Sequence, residues 1–128
     1  MPHIARDEAS QVEEMEGFEG RYQQLGGYTV GFERYSADAP VDALAPLFRG
    51  LPDDRCQSPH WGVVLKGRIA YRHADGTEEV IDAGQAYYVP AGHLPGFFAG
   101  TEIVEFSPTA EFAKTVEVVL GNLAASGT

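Results

Sequence analysis

At 128 residues, with 44% hydrophobic and 22% charged side chains, the chain can bury one core but not two, which excludes a multi-domain enzyme. Nineteen acidic against nine basic residues leave a net charge of −10, so polyanions are repelled, and neither nucleic acid nor an anionic membrane is expected as a partner. Fifteen glycines and eight prolines fall in no repeat, which excludes collagen-like and low-complexity chains and predicts a compact, turn-rich domain.

Residues 1–26 read as an acidic N-terminal arm. In its first twenty residues Asp7, Glu8, Glu13, Glu14, Glu16 and Glu19 stand against one base, Arg6. A helix over 8–16 would lack an apolar stripe and be marginal in water, so a solvated arm, or one docked on a partner subunit, is expected. Residues 27–123 read as a single domain. Tyr28, Val30 and Phe32 alternate with Thr29, Gly31 and Glu33, the period of a half-buried strand running to Tyr35. Residues 36–51 hold Pro40 and Pro46 and no sustained period, which predicts a long connection.

Further strands are expected at about 60–65, 68–73, 78–81, 85–89 and 101–106. Lys66-Gly67 suits a tight reversal, and Asp75-Gly76 between alternating runs is a strong hairpin signal. Short strands with turns every 8–12 residues predict an all-β sandwich or barrel. Phe112, Val116, Val119 and Leu123 then recur at helical spacing. They predict one C-terminal amphipathic helix, with Ser107 as its cap, Pro108 at its first position and Gly121 at its end, followed by a frayed tail at 124–128.

No run of about 18 apolar residues is present to span a bilayer, and the N-terminus lacks the basic-then-apolar order of a signal peptide. Cys56 is the single cysteine and cannot close an intramolecular disulfide, which fits a reducing, cytoplasmic location. Dinucleotide, phosphate-loop, serine-hydrolase and zincin motifs are all missing from the sequence.

His3 and His73 lie in the arm and beside the Asp75-Gly76 turn, where a polar side chain simply meets water. His60 and His93 differ. His60 opens the apolar run Pro59-His60-Trp61-Gly62-Val63-Val64-Leu65, and His93 sits in Pro90-Ala91-Gly92-His93-Leu94-Pro95, a turn-rich segment of the kind that presents ligands. Gly84, Pro90 and Gly92, at their spacing, resemble the second motif of the small bacterial cupins, single-domain barrels with the jelly-roll-like double-stranded β-helix. Pro95 stands where that motif carries its histidine, and His93 is the nearest one. Counting back from Gly67, Asp54, Cys56 and His60 occupy the positions of the first motif's His, His and Glu. The segment Cys56-Gln57-Ser58-Pro59-His60-Trp61-Gly62 also resembles a cupin subgroup that reads Cys-Gln-Cys-Pro-His-Trp-Gly.

The resemblance implies a cupin barrel over residues 27–123 that binds a small organic molecule. It implies metal ligands at Cys56, His60, His93 and Asp54, a mixed sulfur and nitrogen set suited to Zn²⁺ or Fe²⁺. Isomerase, cyclase, lyase or dioxygenase chemistry would follow, with His60 and His93 as catalytic residues. The alternative is a metal-free binding or sensing domain, in which Cys56 is a small buried hydrophobe, His60 a hydrogen-bonded core histidine and Asp54 a turn cap. Residues 56 and 60 on a straight strand would be about 13 Å apart, so they meet only if the Pro59 segment folds back. Tyr71, Tyr87, Tyr88 and the Phe97-Phe98 pair are candidates to shape a ligand pocket. Glu105 interrupts Ile103-Val104-Glu105-Phe106 and is expected on the face opposite Val104 and Phe106, exposed at an edge or interface or else acting as a pocket acid. An apolar outer sheet surface including Val63 and Leu65 points to a homodimer, and an interaction protein using the acidic arm is a third reading.

Overall fold

The computed structural model describes residues 2–126. Its strands are β1 (Gln11–Met15), β2 (Phe18–Leu25), β3 (Tyr28–Tyr35), β4 (His60–Lys66), β5 (Arg68–Arg72), β6 (Glu78–Asp82), β7 (Ala86–Val89), β8 (Leu94–Phe97) and β9 (Thr101–Pro108). Two helices join them: α1 (Val41–Leu44), in the long connection, and α2 (Thr109–Ser126), at the end. The strands form a six-stranded sheet in the order β1-β2-β3-β9-β4-β7 and a three-stranded sheet in the order β6-β5-β8. Val64, Ile69, Tyr71, Ile81, Val89, Phe97 and Ile103, drawn from both sheets, make one buried cluster. Each such apolar side chain contributes roughly 1.5–3 kcal/mol relative to exposure.

The strands expected from β3 onward are present within a residue or two of their predicted limits, and Asp75-Gly76 does turn a hairpin. There His73 and Thr77 are joined at 2.8 Å, and the Asp75 carboxylate accepts from the Thr77 amide and hydroxyl. Several expectations require correction. Residues 11–25 are not a solvated arm but the hairpin β1–β2, which extends the sheet beyond β3 in the register Tyr22↔Gly31. Its charges hid it from a search for apolar alternation. Those of β1, which lies at the sheet edge, suit that place, because charge on an unpaired edge discourages further strand addition. Strand β8 contains Pro95 and Gly96 and reads as a loop, yet a proline is tolerated at a sheet edge, where β8 lies. Lys66-Gly67 is a corner rather than a hairpin turn, since β4 and β5 belong to different sheets.

The C-terminal helix is also placed differently. Ser107 and Pro108 remain in β9, so the helix begins after both, and Gly121 lies inside α2, which continues to Ser126. The expected tail at 124–126 is therefore helical, and 127–128 lie outside the described residues.

Strand β9 reverses the expected facing. Thr101, Ile103, Glu105 and Ser107 point inward and are buried, whereas Phe106 is exposed. Apolar residues occupy the outer face because that side of the sheet is itself hydrophobic. Trp61, Val63, Leu65, Tyr88 and Phe106 are all exposed there, with Trp61 against Tyr88 at a centroid distance of 5.0 Å. The inner face meanwhile carries the polar groups of the site.

Candidate metal centre

Cys56 and His93 are held together by backbone. The Cys56 amide donates to the His93 carbonyl at 2.9 Å, and the Gly92 amide donates to the Cys56 carbonyl at 2.7 Å. Between Cys56 and β4 the chain folds back at Ser58-Pro59, so Cys56 Sγ lies 3.6 Å from His60 Nε2 and 3.7 Å from the Ser58 carbonyl. The separation of a straight strand is not realised. One donor atom from each of Cys56, His60 and His93 falls within 4.8 Å of the others, and all three residues are buried.

Each imidazole is aimed by a second contact. His93 Nδ1 is 2.7 Å from the Pro90 carbonyl, which can only accept, so the proton is on Nδ1 and Nε2 carries a lone pair. That Nε2 is buried and has no hydrogen-bond partner. His60 Nδ1 bonds Ser107 Oγ at 2.7 Å, leaving Nε2 toward Cys56. Burial, aided for His93 by neighbouring His60, lowers both imidazoles to about 3, so both are in the neutral, ligating form. Burial pushes the Cys56 thiol up to about 12, and a bound divalent cation deprotonates such a thiol outright. The orphaned Nε2, the oriented rings and the thiol fit a metal, and the cluster can coordinate a divalent ion.

Asp54 is not part of this cluster. It lies in a short 3-10 turn with a left-handed backbone, and its carboxylate accepts from the Gly50 amide at 3.1 Å in an exposed position. The Pro59 fold-back removes the shared face that strand parity would have supplied.

The cluster borders a cavity of about 640 Å³ lined also by Tyr71, Phe97 and Glu105. Phe97 stacks on Tyr35 at 3.8 Å, 8° from parallel. Phe98 does not line the cavity. It is 42% exposed and lies beneath the Arg68 guanidinium, because successive residues alternate in direction. Glu105, expected on the outer face, is buried in the cavity and accepts the Tyr71 hydroxyl at 2.8 Å and the Tyr87 hydroxyl at 2.7 Å. Burial raises its pKa, and because burial keeps the His60 imidazole neutral, the 3.6 Å approach of its other oxygen to His60 Nδ1 is not an ion pair.

Cross-strand pairing explains how the aromatic rings reach inward. One row across the sheet reads Tyr22, Gly31, Glu105, Gly62, Tyr87. A Cβ on Gly62 would meet the Tyr87 ring at 2.6 Å, and one on Gly31 the Tyr22 ring at 2.9 Å. The two glycines leave the space in which these rings lie flat over the sheet. Sequence reasoning missed Glu33, Tyr22 and Tyr35. Tyr22 donates to Glu33 at 2.6 Å, and Tyr35 donates to it at 3.3 Å. The one available signal was that Glu33 and Thr29 share strand parity with Gly31.

Glu33 makes a measurable pH dependence. Burial first, and the Glu105 charge second, raise it from the ordinary 4.5 to about 7, against the pull of the two hydroxyls. Across that interval the folded chain keeps a proton that the unfolded chain has released, so Glu33 lowers stability as pH rises and ceases to do so above about 7. Thermal melts from about pH 5 to pH 8 should show Glu33→Gln losing less stability than wild type; parallel curves would place the proton elsewhere.

No protein-family model and no curated protein matches the sequence. Solved structures do resemble the fold. The polyketide cyclase RemF from Streptomyces resistomycificus matches with a TM-score of 0.55 at 17% identity, covering 84% of this chain and 79% of its own. An RmlC-like cupin from Shewanella frigidimarina gives 0.52 at 17%, covering 84% and 92%. A protein of unknown function from Rhizobium leguminosarum bv. viciae gives 0.55 at 17%, covering 84% and 94%. At these identities the likeness establishes a small, mostly β, cupin-like fold. Among the described residues no helix is long and apolar enough to cross a membrane.

Proposed function

Starting from a cupin-like fold, we propose that this chain is a metal-dependent enzyme that carries out acid–base chemistry of the isomerase, cyclase or lyase type on a small organic molecule in the cavity. The observation that carries this reading is His93 Nε2, a buried lone pair without a partner beside two further donors. Cys56, His60 and His93 would hold Zn²⁺ or Fe²⁺, which supplies Lewis acidity to a substrate oxygen when bound. Glu105 accepts or donates the proton. Tyr71 and Tyr87 fix one of its oxygens and leave the other free, while Tyr35 and Phe97 exclude water along one wall. Dioxygenase chemistry would need the same three ligands, but the buried carboxyls favour proton transfer.

Elemental analysis of protein purified without chelator should find nearly one divalent metal per chain, lost in Cys56→Ala, His60→Ala and His93→Ala. Folded wild type that stays metal-free after incubation with Zn²⁺ and Fe²⁺ would overturn the reading and leave a metal-free binding cavity.

We also infer that a second copy of the chain covers the exposed Trp61, Val63, Leu65, Tyr88 and Phe106 face, because a contiguous apolar surface of this kind marks an interface. Sedimentation should give a dimer for wild type and a monomer for Trp61→Glu; a monomeric wild type at high micromolar concentration counts against it.

A further inference from the structure

The charge of the molecule that enters the cavity is written in its lining. Five acidic residues line it, the buried Glu33 and Glu105, the half-buried Glu13 and, in exposed positions, Glu16 and Asp38, and among the described residues no lysine or arginine does. The two histidines there are committed elsewhere: His60 Nδ1 to Ser107 Oγ, His93 Nδ1 to the Pro90 carbonyl, and a ring nitrogen of each to the Cys56 cluster. A carboxylate or phosphate ligand would have to leave water without gaining a cationic side chain, and it would face like charge.

The two deepest acids are arranged as a pair. Gly31 is opposite Glu105 and Glu33 opposite Ile103, so Glu33 and Glu105 are diagonal neighbours on one sheet face, Cα atoms about 7–8 Å apart. Neither carboxyl is saturated. Glu33 receives one hydroxyl on each oxygen, and Glu105 receives both of its hydroxyls on Oε1. A carboxylate offers about four acceptor sites, so each keeps capacity for further donors, and an alkylammonium brings up to three. Around them stand the rings of Tyr22, Tyr35, Tyr71 and Tyr87, whose faces attract cations. Phe97, stacked on Tyr35, together with Phe112 and Val116 of α2, offers an apolar surface beyond.

We propose that the ligand is a primary or secondary amine on a compact apolar skeleton, its ammonium group set between Glu33 and Glu105 and its apolar part against the Tyr35–Phe97 stack. The inference rests on the proposed function for turnover, but not for binding. A cation at that position also relieves the repulsion between the two acids, which contributes to raising Glu33.

The test uses three probes that share a phenyl ring and a two-carbon chain and differ in the end group: 2-phenylethylamine, 2-phenylethanol and 3-phenylpropionate. Calorimetric titrations are run on full-length wild type and Glu33→Gln, each metal-loaded and chelator-stripped. The amine should bind wild type about tenfold or more tighter than the alcohol, as expected for a charge-assisted contact, and the carboxylate more weakly than either in stripped protein. Glu33→Gln should collapse the amine-to-alcohol ratio toward one while leaving the alcohol within about twofold. The inference is overturned if stripped wild type binds the carboxylate as tightly as the amine, if no amine binding is found at millimolar concentration, or if folded Glu33→Gln keeps the ratio. Should Glu33→Gln not fold, the wild-type series decides alone. An amine preference in protein that never takes up metal sinks only the catalytic reading, whereas metal-replete protein without that preference sinks only this one.

Discussion

Stripping metal from protein equilibrated with free ion at roughly a thousandfold above its dissociation constant should lower stability by about 4 kcal/mol. A chain of this size would show this as a fall in melting temperature on the order of 10–20 °C. The effect is large because an ion bound only by the folded state adds its full mass-action term, and the unfolded chain separates the three donors. Cys56 and His60 are drawn together by the Pro59 fold-back, and His93 is tied to Cys56 by two backbone hydrogen bonds. None of that geometry survives unfolding. The same chelator should leave the melt of His93→Ala unchanged, since its site lacks the unpartnered Nε2. Differential scanning calorimetry with and without chelator reads both results, and a wild-type melt that does not move would remove the metal from the account.

The second large effect is expected at a residue with no side chain. Gly62→Ala should destabilise the fold by about 1–3 kcal/mol, the usual range for forcing a methyl group into filled space. Its Cβ would meet the Tyr87 ring at 2.6 Å and the Val104 carbonyl oxygen at 2.7 Å. The ring can swing away, at the cost of its hydrogen bond to Glu105. The carbonyl cannot, because it belongs to β9 in the middle of the sheet. Tyr87→Phe separates the two consequences: it loses the hydroxyl contact but keeps the ring over Gly62, and should cost only about 1 kcal/mol. Urea denaturation of both variants gives the comparison, and Gly62→Ala as stable as wild type would show that the two strands part easily.

The residues chosen by chemical type in the sequence, Cys56, His60 and His93, are the ones the fold brings to one point, and Tyr71 and Phe97 reach the same cavity. Asp54 and Phe98 do not, the first because a left-handed turn carries it to the surface and the second because it faces outward at the end of β8. Alternation and turn chemistry are local, so the strands from Tyr28 onward and the Asp75-Gly76 hairpin could be read from short stretches of chain. The edge strand β1 and the proline-bearing edge strand β8 could not, since edge strands tolerate charges and breakers that central strands reject.

What needed three dimensions was the choice of inside and outside. Period-two alternation divides β3 and β9 into two faces without saying which is buried, and here the apolar expectation pointed the wrong way at Glu105. Its burial, its contacts with Tyr71 and Tyr87, and its closeness to Glu33 arise from residues 18 to 72 positions away along the chain. Residue type and local spacing determine what chemistry the chain can offer. Only packing across the sheets decides which of those groups leave water together, and desolvation then sets whether they are neutral, charged or free to bind.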